Sequence, residues 1–231
     1  MEINVMLLTE IPFDFDTNQL SRYMKTNSGT DRGKGFEHIA NEVLNVGKPK
    51  ALYRALFIDE KGEDTITVNG VTFTSPALRK NLDSIERVFP YVATCGTEID
   101  EIEIEQGDFA KKIWISILKG DVLRASMEFL KDNIAKRYGF SGLSSMNPGA
   151  GDASVWPLEQ QRELYSICGD VEDLIGVRLT NSMVLAPDMS LAGIFFPTEV
   201  DFQSCQLCHR DNCRSRRAPF DKDLWKSINQ S

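Results

Sequence analysis

Three of the five cysteines crowd into the nine residues Cys205-Gln-Leu-Cys208-His-Arg-Asp-Asn-Cys213. A Cys-x-x-Cys turn places two thiolates on one ion, and a third sulfur can return after a short loop. Three thiolates need a fourth ligand. His209 lies inside the loop, and Cys95 or Cys168 could approach through the fold, giving three cysteines with a histidine or four cysteines. Either set suits zinc or an iron-sulfur cluster, and ligand type alone does not choose between them. The expected ligands are Cys205, Cys208, Cys213 and Cys95, with Arg214, Arg216 and Arg217 beside them to stabilise thiolates. The competing reading is three free thiols on a flexible tail. An odd cysteine count leaves one unpaired in any all-disulfide scheme, and in a reducing compartment the clustering reads as metal or redox chemistry.

A second constellation is Ser145-Met-Asn147-Pro148-Gly149-Ala-Gly151-Asp152, followed by Trp156-Pro157-Leu158 at an expected helix start. Glycines let a ligand approach the backbone, and free N–H groups at a helix start favour anionic or polar groups. A Pro-Gly turn is often only a turn. A Rossmann phosphate loop is disfavoured, because a third glycine is missing and no clearly buried strand is expected before it. Asn147, Pro148, Gly149, Gly151, Asp152 and Trp156 are therefore the candidate cofactor-binding residues. Thr180, Asn181 and Ser182, at a bend between two expected strands, join them as residues able to line a cleft. No catalytic residue is assigned. His38 falls on a helix whose apolar stripe implies packing. Glu98, Asp100, Glu101, Glu103 and Glu105 read as a solvated acidic face. With two histidines and no nucleophile context, no hydrolase triad is recognisable.

The elements that position these residues follow from periodicity. Met1–Leu8 is expected as a short peripheral strand. Phe36, Ile39, Ala40, Val43 and Leu44 have helical spacing that stops near Gly47 and Pro49. Ala51–Ile58 is β-rich, and Thr65–Val68 with Val71–Phe73 flank Asn69-Gly70, a strong hairpin signal. Ser75-Pro76 caps a helix, Val88–Thr94 is a strand, and apolar spacing from Phe109 to a stop at Gly139 predicts the longest helix. Another helix opens at Trp156-Pro157, and Val177–Thr180 and Ser190–Phe196 read as strands.

With 231 residues and 42% hydrophobic content the chain can bury a core. A net charge of −8 and a pI near 4.9 argue against nucleic acid as a partner. No apolar stretch approaches the roughly 20 residues that span a bilayer, and the start lacks a signal peptide's basic and cleavage features, so a cytoplasmic location is expected with no membrane partner. The fold class expected is α+β, a single domain with a mixed, largely antiparallel twisted sheet packed by helices. Residues 1–34 would be an N-terminal extension, 35–200 the α+β domain and 201–231 a cysteine-containing tail, loosely attached from Cys205 onward.

Taken in order, the strand ending Val92-Ala-Thr-Cys95-Gly96, the long helix, Asn147-Pro-Gly149, Trp156-Pro-Leu158, Ile175-Gly-Val-Arg-Leu-Thr180 and Ser190-Leu-Ala-Gly193 resemble the activation domain of cobalamin-dependent methionine synthase. The likeness runs from about Gly35 to Arg217 and is closest to free-standing relatives that end in a three-cysteine tail. It implies a protein that works beside a corrinoid and supports its reductive methylation with S-adenosylmethionine. The family's S-adenosylmethionine loop reads Arg-Pro-Ala-Pro-Gly-Tyr; here Ser145 stands where its arginine would be and Ala150 where its tyrosine would be. Both of those ligand-contacting side chains are missing. The chain also lacks the Asp-x-His-x-x-Gly corrinoid signature, so a complete methionine synthase activity is not expected of it alone. The resemblance implies an accessory protein docking on a separate corrinoid protein or a truncated cobalamin-dependent methionine synthase, with the corrinoid supplied by that partner and the cysteine centre as an electron conduit. The rival readings are a non-catalytic scaffold module with a structural zinc site and a small-molecule methyltransferase.

Overall fold

In this computed structural model the described residues are 5–16, 18, 20, 29–152, 155–199, 202–213 and 216–229. β1 (Met6–Leu8) leads to α1 (Asp31–Val46), where the Thr30 side chain caps the helix by accepting the Gly33 amide. Phe36, Ile39, Ala40 and Val43 form its buried stripe, as their spacing requires. His38 lies off that stripe, 73% exposed and 3.9 Å from Glu42, so the packing expected of it does not occur. The β-rich stretch divides into β2 (Lys50–Tyr53) and β3 (Leu56–Lys61). β4 (Thr65–Val68) and β5 (Val71–Thr74) close the expected hairpin, with Asn69 and Gly70 both at positive φ, as a type I′ turn needs.

The Ser75 hydroxyl caps α2 (Pro76–Asn81), and β6 (Arg87–Thr94) follows. α3 (Phe109–Tyr138) is the longest helix and ends at Gly139, whose left-handed conformation a Cβ would disfavour. β7 (Leu143–Met146) comes next, then α4 (Gln161–Ile167), α5 (Val171–Ile175), β8 (Arg178–Leu179), β9 (Leu185–Ala186), β10 (Ser190–Pro197) and α6 (Lys222–Asn229).

Eight strands make one sheet in which every pair among the described residues runs antiparallel, while β8 and β9 form a separate ribbon. β6 is its spine: β2 and β3 pair along one edge and β10 along the other, and β10 in turn holds β7. Alternation along β6 sends Val88 and Val92 to one face and Phe89, Tyr91 and Ala93 to the other. The second of these faces is covered by α3, with α1 laid along it through Phe36 edge-on to Trp114 at 5.9 Å. The first is covered by α2, α4, α5 and α6, whose Leu78, Leu164, Ile175 and Ile228 share one core.

The segment from Cys205 onward is not a loose appendage. Leu207 and Ile228 are buried in that same core, and Lys80 of α2 donates to the Ser227 carbonyl at 3.2 Å and to its hydroxyl at 2.6 Å. Each of these buried aliphatic side chains contributes about 1.5–3 kcal/mol toward holding the tail in place. Among the described residues no helix is long and apolar enough to cross a membrane.

Candidate functional site

β7 delivers the glycine turn to the middle of the sheet's far edge. Leu143, Ser144 and Met146 in β7 are buried, so a buried strand does precede Pro148-Gly149, contrary to the sequence-based expectation. The antiparallel pairing of β7 with β10 still separates this turn from a Rossmann unit, which needs a parallel strand. Asn147 donates its side-chain amide to the Tyr91 hydroxyl and to the Ala192 carbonyl, each at 2.7 Å. Tyr91 is fully buried, and burial pushes its hydroxyl up to about 12 against the opposing pull of the Asn147 and Ser145 hydrogen bonds. It is a neutral hydrogen-bonding group at physiological pH.

Across the ladder from Tyr91 stands Gly193. A Cβ there would collide with the Asn147 amide and lie 2.6 Å from the Met146 carbonyl oxygen and 2.7 Å from the Tyr91 hydroxyl. The turn itself is closed by the Gly149 N–H donating to the Trp156 carbonyl at 2.8 Å and the Ala150 N–H donating to the Asn147 carbonyl at 3.1 Å. Pro148 is buried, while Gly149 and Gly151, both at positive φ, are exposed.

Trp156 does not line a cleft. It is fully buried, edge-on to Phe73 at 5.8 Å, and its indole N–H donates to Gln160 at 3.2 Å. Its carbonyl braces the glycine turn, which makes it a support. Thr180, Asn181 and Ser182 form the tight connection from β8 to β9, where the Thr180 hydroxyl bonds Ser182 at 3.0 Å and the Val184 backbone at 2.8 and 3.1 Å. The Thr180 and Ser182 hydroxyls are thus engaged within the connection, and Asn181 is exposed.

The tail crosses the glycine turn, which nothing in the sequence indicated. A Cβ on Gly151 would lie 3.4 Å from the Ser204 carbonyl oxygen and 3.6 Å from the Cys208 Cβ. His209 Nδ1 is 3.6 Å from Asp152 Oδ2, and its ring lies 4.3 Å from Phe220 and 4.5 Å from Trp225. Arg216 organises the loop: its guanidinium donates to the carbonyls of Cys205, Cys208, Arg210 and Ala218 at 3.2, 3.1, 2.5 and 3.0 Å. The planar fork has five donors, so one side chain can satisfy all four carbonyls. The Arg217 N–H donates to Cys205 Sγ at 3.4 Å, and the Arg217 guanidinium is near enough to the buried Tyr91 hydroxyl to act on it electrostatically. Arg214 lies outside the described residues.

The expected ligand set is not assembled here. Among the described residues no three His, Cys, Asp or Glu side chains form a group able to hold a metal ion. The loop's carbonyls converge instead on Arg216. Cys95 is buried with Phe36, Ile99 and Trp114, on the face opposite the core that takes Leu207 of the tail. Burial pushes the Cys95 and Cys168 thiols up to about 12, which opposes the thiolate form a metal requires.

Beyond the C-terminal end of β6, a half-open cleft of about 160 Å³ lies between Ile99–Ile104 and α3. Lys119, with a side chain only 7% exposed, donates there to Asp188 at 2.7 Å and to Asp100. Burial alone would lower its pKa, and the two carboxylates more than reverse this to leave it raised. Sequence reasoning missed Lys119. The available signal was a lysine interrupting the buried stripe Ile115, Leu118 and Val122.

No protein-family model matches the chain, and no curated protein matches it in sequence. Among solved structures it is similar to the crystal structure of the MetH reactivation domain bound to AdoHcy, with a TM-score of 0.61 and 13% sequence identity over 87% of this chain and 81% of that one. At that identity the likeness concerns backbone architecture, and the chain has the fold of the MetH reactivation domain.

Proposed function

We propose that this chain is an accessory protein for corrinoid-dependent methyl transfer, acting on a separate corrinoid protein or a truncated cobalamin-dependent methionine synthase. The observation that carries this reading is the fold likeness over 87% of the chain to a reactivation domain bound to AdoHcy. The glycine turn supports it. Exposed Gly149 and Gly151 allow a ligand close to the main chain, Asp152 supplies a carboxylate within the turn, and the Arg217 guanidinium acts electrostatically on the Tyr91 hydroxyl that anchors the turn through Asn147. S-adenosylmethionine and AdoHcy carry an ammonium and a carboxylate, which such a pair would bind. Arg217 would then stand in for the arginine that Ser145 replaces.

Calorimetric titration with AdoHcy and S-adenosylmethionine tests this directly. Binding that weakens about tenfold in Arg217→Ala is expected. The accessory role is tested by adding the protein to a cob(II)alamin-loaded corrinoid protein with a chemical reductant and S-adenosylmethionine. Faster return of the methylated corrinoid is expected, and no acceleration would sink the reading.

The cysteine loop, with Cys205, Cys208 and Cys213, is proposed as the site of a zinc ion or iron-sulfur cluster. No step is assigned to a metal in the present arrangement. Metal analysis and an absorption spectrum of anaerobically purified protein decide, with Cys208→Ala as control. The alternative, a non-catalytic binding module, is favoured by one observation: Arg216 already fixes the tail as a structural element.

A further inference from the structure

The first turns of α3 carry Phe109, at 72% the most exposed large apolar side chain among the described residues, with Ile113 at 59% one turn on. Phe109, Lys112, Ile113 and Ser116 fall at i, i+3, i+4 and i+7, which is one helix face. Lys112 and Ser116 are also walls of the cleft floored by Ile99, Ile102, Ile104 and Ile115. Phe109 and Ile113 therefore border the cleft and extend it as a groove of mixed lining, apolar at the exposed pair and the isoleucine floor and polar at Lys112 and Ser116. Aromatic and aliphatic surface of this kind is costly to leave in water and marks an interaction site.

The rim of the groove is acidic. Glu101, Glu103 and Glu105 are exposed and alternate with the half-buried Ile102 and Ile104, so the isoleucines face the fold while the carboxylates face solvent. At the back, Lys119 is shared by Asp100 and Asp188, two carboxylates for one ammonium. Lys111 is engaged by Glu42 at 3.4 Å, and Lys112 lies 5.9 Å from the Phe109 ring. Such a field repels phosphate groups and therefore disfavours nucleic acid and anionic lipid.

We infer that this groove docks a cationic amphipathic segment of a partner protein, its apolar residues seated on Phe109, Ile113 and the isoleucine floor and its Lys or Arg side chains on the glutamate rim. The occupant follows from charge complementarity. The inference rests on the reading that the chain works on a protein partner, and names the surface and the chemistry of contact.

The test uses the full chain, the corrinoid protein of the proposed reaction, and separately a synthetic helical peptide of leucine and lysine. Phe109→Ala with Ile113→Ala, both exposed, leaves the thermal midpoint unchanged and weakens both complexes about tenfold. Glu103→Lys with Glu105→Lys weakens them as well and flattens their salt dependence. Corrinoid-protein binding that is intact in all variants overturns the groove and leaves the proposed function standing. If that protein does not bind even the wild type, the functional reading fails and the peptide alone judges the groove: binding lost in the variants supports it, and no binding or unchanged binding overturns it. Preferential binding to phosphatidylserine vesicles over the peptide also overturns it.

Discussion

The side-chain amide of Asn147 donates to the hydroxyl of Tyr91 at 2.7 Å, directly over Gly193 on the neighbouring strand. One buried polar contact thus ties the exit of β7 to the centre of the sheet, and it fits only because position 193 carries no side chain. The glycine turn from Asn147 to Asp152 inherits its place from this contact. Whatever the turn binds, its geometry is set by Tyr91 and Gly193.

Gly193→Ala should therefore be severe, because the added methyl meets the Asn147 amide, a backbone carbonyl and the Tyr91 hydroxyl at once. We expect a loss of about 3 kcal/mol. Tyr91→Phe removes one acceptor and leaves Asn147 with the Ala192 carbonyl, a loss of about 1 kcal/mol. Urea midpoints of the two variants measure both, and a Gly193→Ala midpoint above that of Tyr91→Phe would contradict the steric account.

The five cysteines should separate by reactivity. With a pKa of about 12, Cys95 and Cys168 hold roughly one part in ten thousand of thiolate at pH 8, and both are fully buried. Iodoacetamide at that pH is expected to alkylate Cys205, Cys208 and Cys213 in the native protein and to reach the other two only after denaturation. Peptide mass spectrometry reads the outcome; early modification of Cys95 would show that its burial is transient.

Much of the fold was legible because it obeys local rules. The stripe of α1, the Asn69-Gly70 hairpin and the Gly139 stop each combine a period with a turn residue. β7 was not legible: Leu-Ser-Ser-Met has no β-branched or aromatic residue, and only pairing with β10 makes it a strand. At the site, the cysteine spacing pointed to a loop with a cation at its centre. That cation is here the Arg216 guanidinium, a choice the spacing of sulfurs cannot reveal because the ligands are carbonyls. Trp156 fits the sequence pattern of a ligand contact, because a sequence does not distinguish an indole that lines a cleft from one that braces it.

Arg216 should accordingly be irreplaceable by lysine. A single ammonium has three donors and no planar fork, so Arg216→Lys leaves carbonyls of the loop unpaired, and Arg216→Ala leaves all four. We expect both variants to release the tail, with limited proteolysis cutting after Phe202 at least about tenfold faster than in wild type, while the sheet core keeps its circular dichroism. Equal resistance of all three proteins would show that Leu207 and Ile228 hold the tail unaided. If added zinc restores protection to Arg216→Ala, the thiols can take over the centre of the loop.

Lys119 offers the last test, because its partners and its burial act in opposite directions. Lys119→Met keeps the aliphatic stem, and Asp100 and Asp188, 51% and 62% exposed, regain water. Stability should therefore change by about 1 kcal/mol or less. Converting both carboxylates to amides, Asp100→Asn with Asp188→Asn, leaves the ammonium buried without a countercharge and should cost about 3 kcal/mol. The pH dependence carries a sign. Because the folded-state pKa of Lys119 is raised, its charge stabilises the fold fully below the unfolded value of roughly 10.4, and that contribution is lost as pH rises through the folded value. The difference in unfolding free energy between wild type and Lys119→Met should thus be flat from neutral pH to about 9 and should change only above about pH 10. A difference that already changes between pH 7 and 9 would assign the effect to another group.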